Sequence, residues 1–193
     1  MTLFSALFDR VMLWSAHRHA PGYLFGLSFA ESSFFPIPPD VMLAPMSLAR
    51  PDRAWHFALL TTIASVLGGM AGYLIGMFAF EMIEPLLHSA GYWEKYLQTR
   101  QWFADWGIWV IFIAGFSPIP YKVFTITAGV VGMAFLPFVI ASAVGRGARF
   151  FMVAGLMKWG GPAMQQTLRQ YIDRLGWLVI LAIIAAYFVL NNG

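Results

Sequence analysis

The apolar positions of this 193-residue chain fall into long runs, each interrupted in its own way. Over residues 2–16, Leu3, Phe4, Leu7, Phe8, Val11 and Trp14 share one helical stripe, with Ser5, Asp9 and Arg10 off it. So short a segment, carrying two charges, suits an interfacial helix over residues 1–19 rather than a crossing one. A helix packed on the protein itself is the alternative. Residues 22–48 are apolar but hold Glu31, the run Pro36-Ile37-Pro38-Pro39, and Asp40. Proline lacks a backbone donor and collides with the preceding turn, so no helix runs through that sequence. Two half-helices result, near 23–35 and 39–48. Each is too short to cross a bilayer, which predicts a re-entrant hairpin with a kinked span as the alternative.

Further along, residues 54–80 contain no charged side chain and are long enough to cross. Gly68, Gly72 and Gly76 recur there at spacing four, a packing seam that lets another helix approach closely. Residues 81–106 are polar, with Glu81, Glu84, Glu94, Lys95, Arg100 and Asp105 among Tyr92, Trp93, Tyr96, Trp102 and Trp106. Such a mixture belongs at a membrane–water boundary. Residues 108–131 then repeat the first interruption: Phe116-Ser117-Pro118-Ile119-Pro120-Tyr121-Lys122 echoes Phe34 to Asp40 at one constant offset, with Lys122 in the place of Asp40. Paired broken segments in two halves of a chain point to an inverted repeat with a transporter-type binding site between them. A span over 133–157 carries Arg146 and Arg149, followed by a polar connector at 160–175 and an apolar segment at 176–190. The expected fold is therefore an all-α membrane protein of a single domain. It has two opposed, proline-broken re-entrant hairpins, about three spanning helices, and interfacial helices.

Composition agrees. The chain is 60% hydrophobic and 11% charged, against roughly 25% charged in a soluble domain. It contains no cysteine, which excludes disulfide and thiol chemistry. No cleavable leader is expected, because Asp9 and Arg10 interrupt the first apolar run. In the double-hairpin topology Arg10, Arg18, Arg50, Arg53, Lys158, Arg169 and Arg174 share a side with Asp9, Asp52 and Asp173. The other side holds Lys95 and Arg100 against Glu81, Glu84, Glu94 and Asp105. The excess of bases places the N-terminus in the cytoplasm.

Five charged residues remain at membrane depth: Glu31, Asp40, Lys122, Arg146 and Arg149. A central Asp, Lys or Arg costs about 2.5–3.5 kcal/mol, so retention of all five implies pairing or a shared polar cavity. The bases could hold an anion such as a phosphate, and the acids could carry protons. Structural pairing of the arginines with the acids, and a capping role for Glu31, are the plainer alternatives. The Pro36, Pro38, Pro39, Pro118 and Pro120 breaks are architectural first. His17, His19, His56 and His88 lack metal-ligand spacing, and no nucleophile or phosphate-loop motif is present. No cofactor and no enzymatic activity are expected. The acidic polar segment excludes nucleic acid, and assembly into a homo-oligomer is left open.

Glu31 and Pro36-Ile37-Pro38-Pro39-Asp40, a glycine-rich span, then Phe116 to Lys122 with Thr127-Ala128-Gly129, resemble the DedA family of integral membrane proteins, whose eukaryotic relatives share the VTT or SNARE-associated domain. The resemblance covers about residues 20–160. It implies opposed re-entrant hairpins and movement of lipids, undecaprenyl phosphate among them in bacterial inner membranes, with protons as the suspected coupling ion. The family's essential acids would fall on Glu31 and Asp40. Its second motif, Arg-Phe-x-Pro-x-x-Arg, is altered, since Gly115 and Tyr121 stand at the arginine positions. Lys122, Arg146 and Arg149 are the candidates for that charge. The expected function is a membrane transporter, flippase or scramblase for a phosphate-bearing lipid. A proton- or cation-coupled carrier of a small solute and a non-transporting assembly factor are the rival classes.

Overall fold

A computed structural model describes residues 17–35, 37–117 and 121–161. Outside these lie the first sixteen residues of the expected interfacial helix, Pro36, Pro118, Pro120, the 176–190 segment, and the connector beyond Gly161. The described residues are mostly helical and contain no strand. Six helices follow in order: α1 (Ala20–Ser33), α2 (Asp40–Ala49), α3 (Ala54–Ser89), α4 (Trp93–Phe116), α5 (Tyr121–Val130) and α6 (Phe135–Gly161).

The first proline break ends one helix and starts the next. Phe34 and Phe35 both donate backbone N–H to the Ala30 carbonyl at 2.8 Å, closing α1, and the Pro39 carbonyl accepts from Leu43 at 2.8 Å to open α2. Proline is tolerated there because a first-turn residue needs no donor. The chain reverses across the break. Leu24, early in α1, shares a core cluster with Leu43 and Met46 of α2, with Ala54, Phe57 and Ala58 at the start of α3, and with Phe150 and Ala154 of α6.

Helix α3 has 36 residues, about 54 Å at the usual rise, longer than the bilayer core is thick. Its last turns carry Glu81 and Glu84 before a left-handed Gly91, at φ 72°, stops it. The polar stretch 81–106 is thus shared between the end of α3 and the start of α4. Helix α6 runs antiparallel to α3: Trp55 stacks on Phe151 at one end, and Tyr73 Oη donates to the Met133 carbonyl at 2.6 Å towards the other. Helix α4 runs parallel to α6, with Gly107 against Met133 and Gly115 against the Arg146 backbone. A second reversal brings α5 back along α4, where Tyr96 Oη donates to the Val130 carbonyl at 3.2 Å. Gly132, at φ 67°, then terminates α5 as Met133 N bonds to Ala128 O and Gly132 N to Gly129 O. This doubly bonded left-handed cap is a common helix stop.

The glycine stripe on α3 seats both reversals. A Cβ on Gly68 would strike the Phe29 carbonyl of α1, and one on Gly76 would strike the Ile126 carbonyl of α5. Between them Gly72 faces Ser32 and Thr125 together. The tip of α1–α2 and the tip of α4–α5 therefore approach from opposite ends of α3 and meet at Gly68–Gly72.

Two helical tracts, Pro51–Met82 and Phe135–Gly161, are long and apolar enough to cross a membrane, yet each is only 39% buried. Leu59, Ile63, Phe78, Leu136, Ile140 and Leu156 point outward, while Ser28, Ser32, Ser65, Thr125 and Ser142 are buried. An apolar exterior around a hydroxyl-rich interior is the arrangement that lipid, rather than water, rewards.

Candidate functional site

At the level where the tips meet, Glu31, Asp40, Lys122, Arg146 and Arg149 separate, among the described residues, into two ion pairs and one cation without a carboxylate partner. Arg146, on the inner face of α6, points its Nη2 at Glu31 Oε2 of α1, 2.5 Å away, and both side chains are almost wholly buried, at 3% and 9% exposure. Hydroxyls complete the cage. Arg146 Nε donates to Ser65 Oγ at 2.6 Å, Ser65 Oγ lies 2.7 Å from Ser32 Oγ, and Ser32 Oγ donates to Glu31 Oε2 at 3.0 Å. The guanidinium is sandwiched between the rings of Tyr121, at 4.9 Å, and Phe150, at 4.6 Å. Tyr121 is itself fixed through Ser142 Oγ at 2.5 Å. A buried pair survives when other groups share its hydrogen bonding, and here Ser65 takes Nε while Ser32 bridges Nη2 and Oε2.

One turn further along α6 the second pair is more open. Arg149 Nη2 meets Asp40 Oδ2 at 2.6 Å, with side-chain exposures of 15% and 24%. Asp40 opens α2, where a carboxylate is favoured by the helix dipole. Its other oxygen, Oδ1, is buried and accepts no hydrogen bond among the described residues. Arg149 Nη1 also reaches the Phe116 carbonyl at 3.5 Å. Lys122 meets no carboxylate among the described residues; its Nζ donates to the Phe34 carbonyl, 3.2 Å away, tying tip to tip. Beside it Thr125 Oγ1 lies 2.9 Å from the Lys122 carbonyl and 3.3 Å from the Ser32 carbonyl, its one hydrogen shared between them. Of the breaking prolines, Pro39 is buried and Pro38 exposed.

Arg149 borders a cleft of about 530 Å³ between α4 and α6. Phe112, Ile113, Phe116, Met152 and Val153 line it, so a cation and the Phe116 carbonyl border an apolar trough. Sequence reasoning placed all five charged residues at one depth but missed Ser65, Tyr121 and Ser142. Ser65 could have been found, because Thr61, Ser65, Gly68 and Gly72 recur at helical spacing on one face of α3.

The VTT domain, as a family profile, matches residues 37–159. The chain belongs to the VTT-domain, or DedA, family. This VTT-domain protein is 50% identical to an uncharacterised protein of Haemophilus influenzae over the whole of both chains. It is 25% identical to the inner membrane protein YqaA of Escherichia coli, over 70% of this chain and 93% of that one. It is also 28% identical to undecaprenyl phosphate transporter A of Staphylococcus aureus, over 63% of this chain and 64% of that one. No solved structure matches. In this VTT-domain protein the altered second motif has a physical counterpart. A Cβ on Gly115 already lies 3.2 Å from Arg146 N, leaving little room for a side chain, and the Tyr121 ring lies under the Arg146 guanidinium. Arg146 and Arg149 of α6 and Lys122 of α5 all lie beside the motif.

Proposed function

We propose that this chain is an inner-membrane transporter that moves a phosphate-bearing lipid across the bilayer. The observation that carries the reading is Arg149, braced by Asp40 and bordering an apolar cleft lined by Phe112, Ile113 and Met152. Arginine binds phosphate oxygens through two parallel hydrogen bonds, and the trough offers the tail an apolar path. In this reading the two reversals are re-entrant hairpins related as an inverted repeat, entering from opposite leaflets and meeting near the midplane. Arg53 and Lys158, beside Trp55 and Trp159, mark the cytoplasmic end, and the acid-rich end of α3 and α4 the other. The names of the Escherichia coli and Staphylococcus aureus relatives support both the location and polyprenyl phosphate as substrate.

Within this site the two ion pairs divide the work. Glu31–Arg146 is a latch that holds α1 to α6. Asp40–Arg149 is the exchangeable pair, in which a lipid phosphate takes over the guanidinium and Asp40 takes up a proton. Proton uptake at Asp40 equally suits the rival class, a proton-coupled carrier of a small solute. Reconstitution into phosphatidylcholine vesicles with fluorescent polyprenyl phosphate tests the choice. Transport by the wild type, lost in Arg149→Ala at equal reconstitution, is expected. No transport of that probe by the wild type would remove the lipid reading.

A further inference from the structure

The lipid-facing seam between the parallel helices α4 and α6 holds a second cleft. It lies at the far end from Arg149, has a volume of about 310 Å³, and is lined by Arg100, Phe103, Ala104, Ile108, Met133 and Pro137. Its floor is the α5–α6 turn, fixed by the left-handed Gly132 and by the close approach of Met133 to Gly107. Like the first, it is an apolar trough with one arginine at its rim.

Arg100 is exposed, and no carboxylate lies within salt-bridge distance of it among the described residues. Asp105, on a different face of the same helix, is approached by the amide of Gln101 at 3.3 Å. A cation without a carboxylate partner that borders an apolar cleft complements a ligand that is anionic at one end and apolar at the other. The two clefts share α4: from Arg100 to Phe116 the helix rises about 24 Å, most of the thickness of a bilayer core. Trp106, Ile108, Trp109 and Ile113, all exposed, cover that interval with apolar surface.

We infer that Arg100 and its cleft form a second binding station for the phosphate-bearing lipid, at the membrane surface beside the α3–α4 turn, with Arg149 deeper in the bilayer. The α4–α6 seam is then the track joining the two. This rests on the lipid reading given above. The head group is held at the Arg100 rim, with the tail against Phe103 and Met133, before or after it passes Arg149. Lipid arriving from that leaflet is captured here first.

The test uses the full chain in phosphatidylcholine vesicles with a fluorescent polyprenyl phosphate and a photoreactive version of it. Three proteins are compared: wild type, Arg100→Ala, and Ala104→Trp, which fills the exposed mouth of the cleft and leaves the charge in place. At least a fivefold fall in transport is expected in both variants, with photolabel lost from residues 131–134. Loss of that label distinguishes a binding station from an interfacial anchor. Wild-type transport with unchanged rates and labelling in both variants overturns the second station and leaves the Arg149 reading standing. Failure of the wild type to move the probe overturns that reading, and this inference with it.

Discussion

Replacing Glu31 by glutamine strands a guanidinium. Arg146 is 3% exposed and sandwiched between Tyr121 and Phe150. Without the carboxylate it keeps the hydroxyls of Ser65 and Ser32 and no counter-charge. Breaking a buried ion pair from one side costs about 3–5 kcal/mol, because the other charge remains buried. At about 1.4 kcal/mol per decade, Glu31→Gln lowers the folded-to-unfolded ratio by roughly two to three and a half decades. Arg146→Met does the same from the other side. Removing both groups removes the stranded charge, so the double variant is expected to be more stable than the sum of the singles allows, by about 1–3 kcal/mol. Unfolding free energies in bicelles, measured for wild type, both singles and the double, give that coupling directly. Strict additivity, within about 0.5 kcal/mol, would refute the latch.

The more open pair should behave differently. Arg149→Ala and Asp40→Asn are expected to cost less unfolding free energy than Glu31→Gln, because this pair is less buried, while transport of polyprenyl phosphate falls. Arg149→Lys should fall between Ala and wild type, since lysine keeps the charge without the two-pronged grip. Asp40→Asn should also yield a transport rate that no longer follows an imposed pH gradient; a wild-type rate indifferent to pH would exclude proton coupling. Gly76→Ala, which drives a methyl into the Ile126 carbonyl, should destabilise by about 1–3 kcal/mol through overpacking, read by the same unfolding assay. Single cysteines replacing the exposed Asp52 and Ser89 should react with an impermeant thiol reagent from opposite sides of intact spheroplasts; same-side labelling would overturn the topology.

Much of this arrangement was legible because proline and charge are so expensive in an apolar run. Pro36 to Pro39 marked the first reversal, and Glu31, Asp40, Arg146 and Arg149 marked themselves as groups needing partners. The partition of the pairs was not legible. Arg146 and Arg149 share a helical face at spacing three, and only the packing of α6 decides that one is sealed against Phe150 while the other borders a cleft. Ser65, Tyr121 and Ser142 were passed over because lone hydroxyls are ordinary in membrane helices. Their role depends on what α1 and α6 bring opposite them. The division of residues 81–106 turned on Gly91, a stop signal hidden among aromatics that read equally well as one boundary segment.

The junction of the two tips sets a timescale. Across it run the Lys122 bond to the Phe34 carbonyl and the Thr125 bond to the Ser32 carbonyl, one charged and one neutral. Together these hold the tips by roughly 2–4 kcal/mol. The glycine contacts of each hairpin run to α3 rather than to the opposite tip, so they persist when the tips part. A gap of that size corresponds to a parted population of roughly 0.1–3% at rest. Rearrangements of packed helical elements fall in the microsecond-to-millisecond range. The protein thus holds a small standing reserve of parted conformers, and a passing head group has only to be present when one of them occurs.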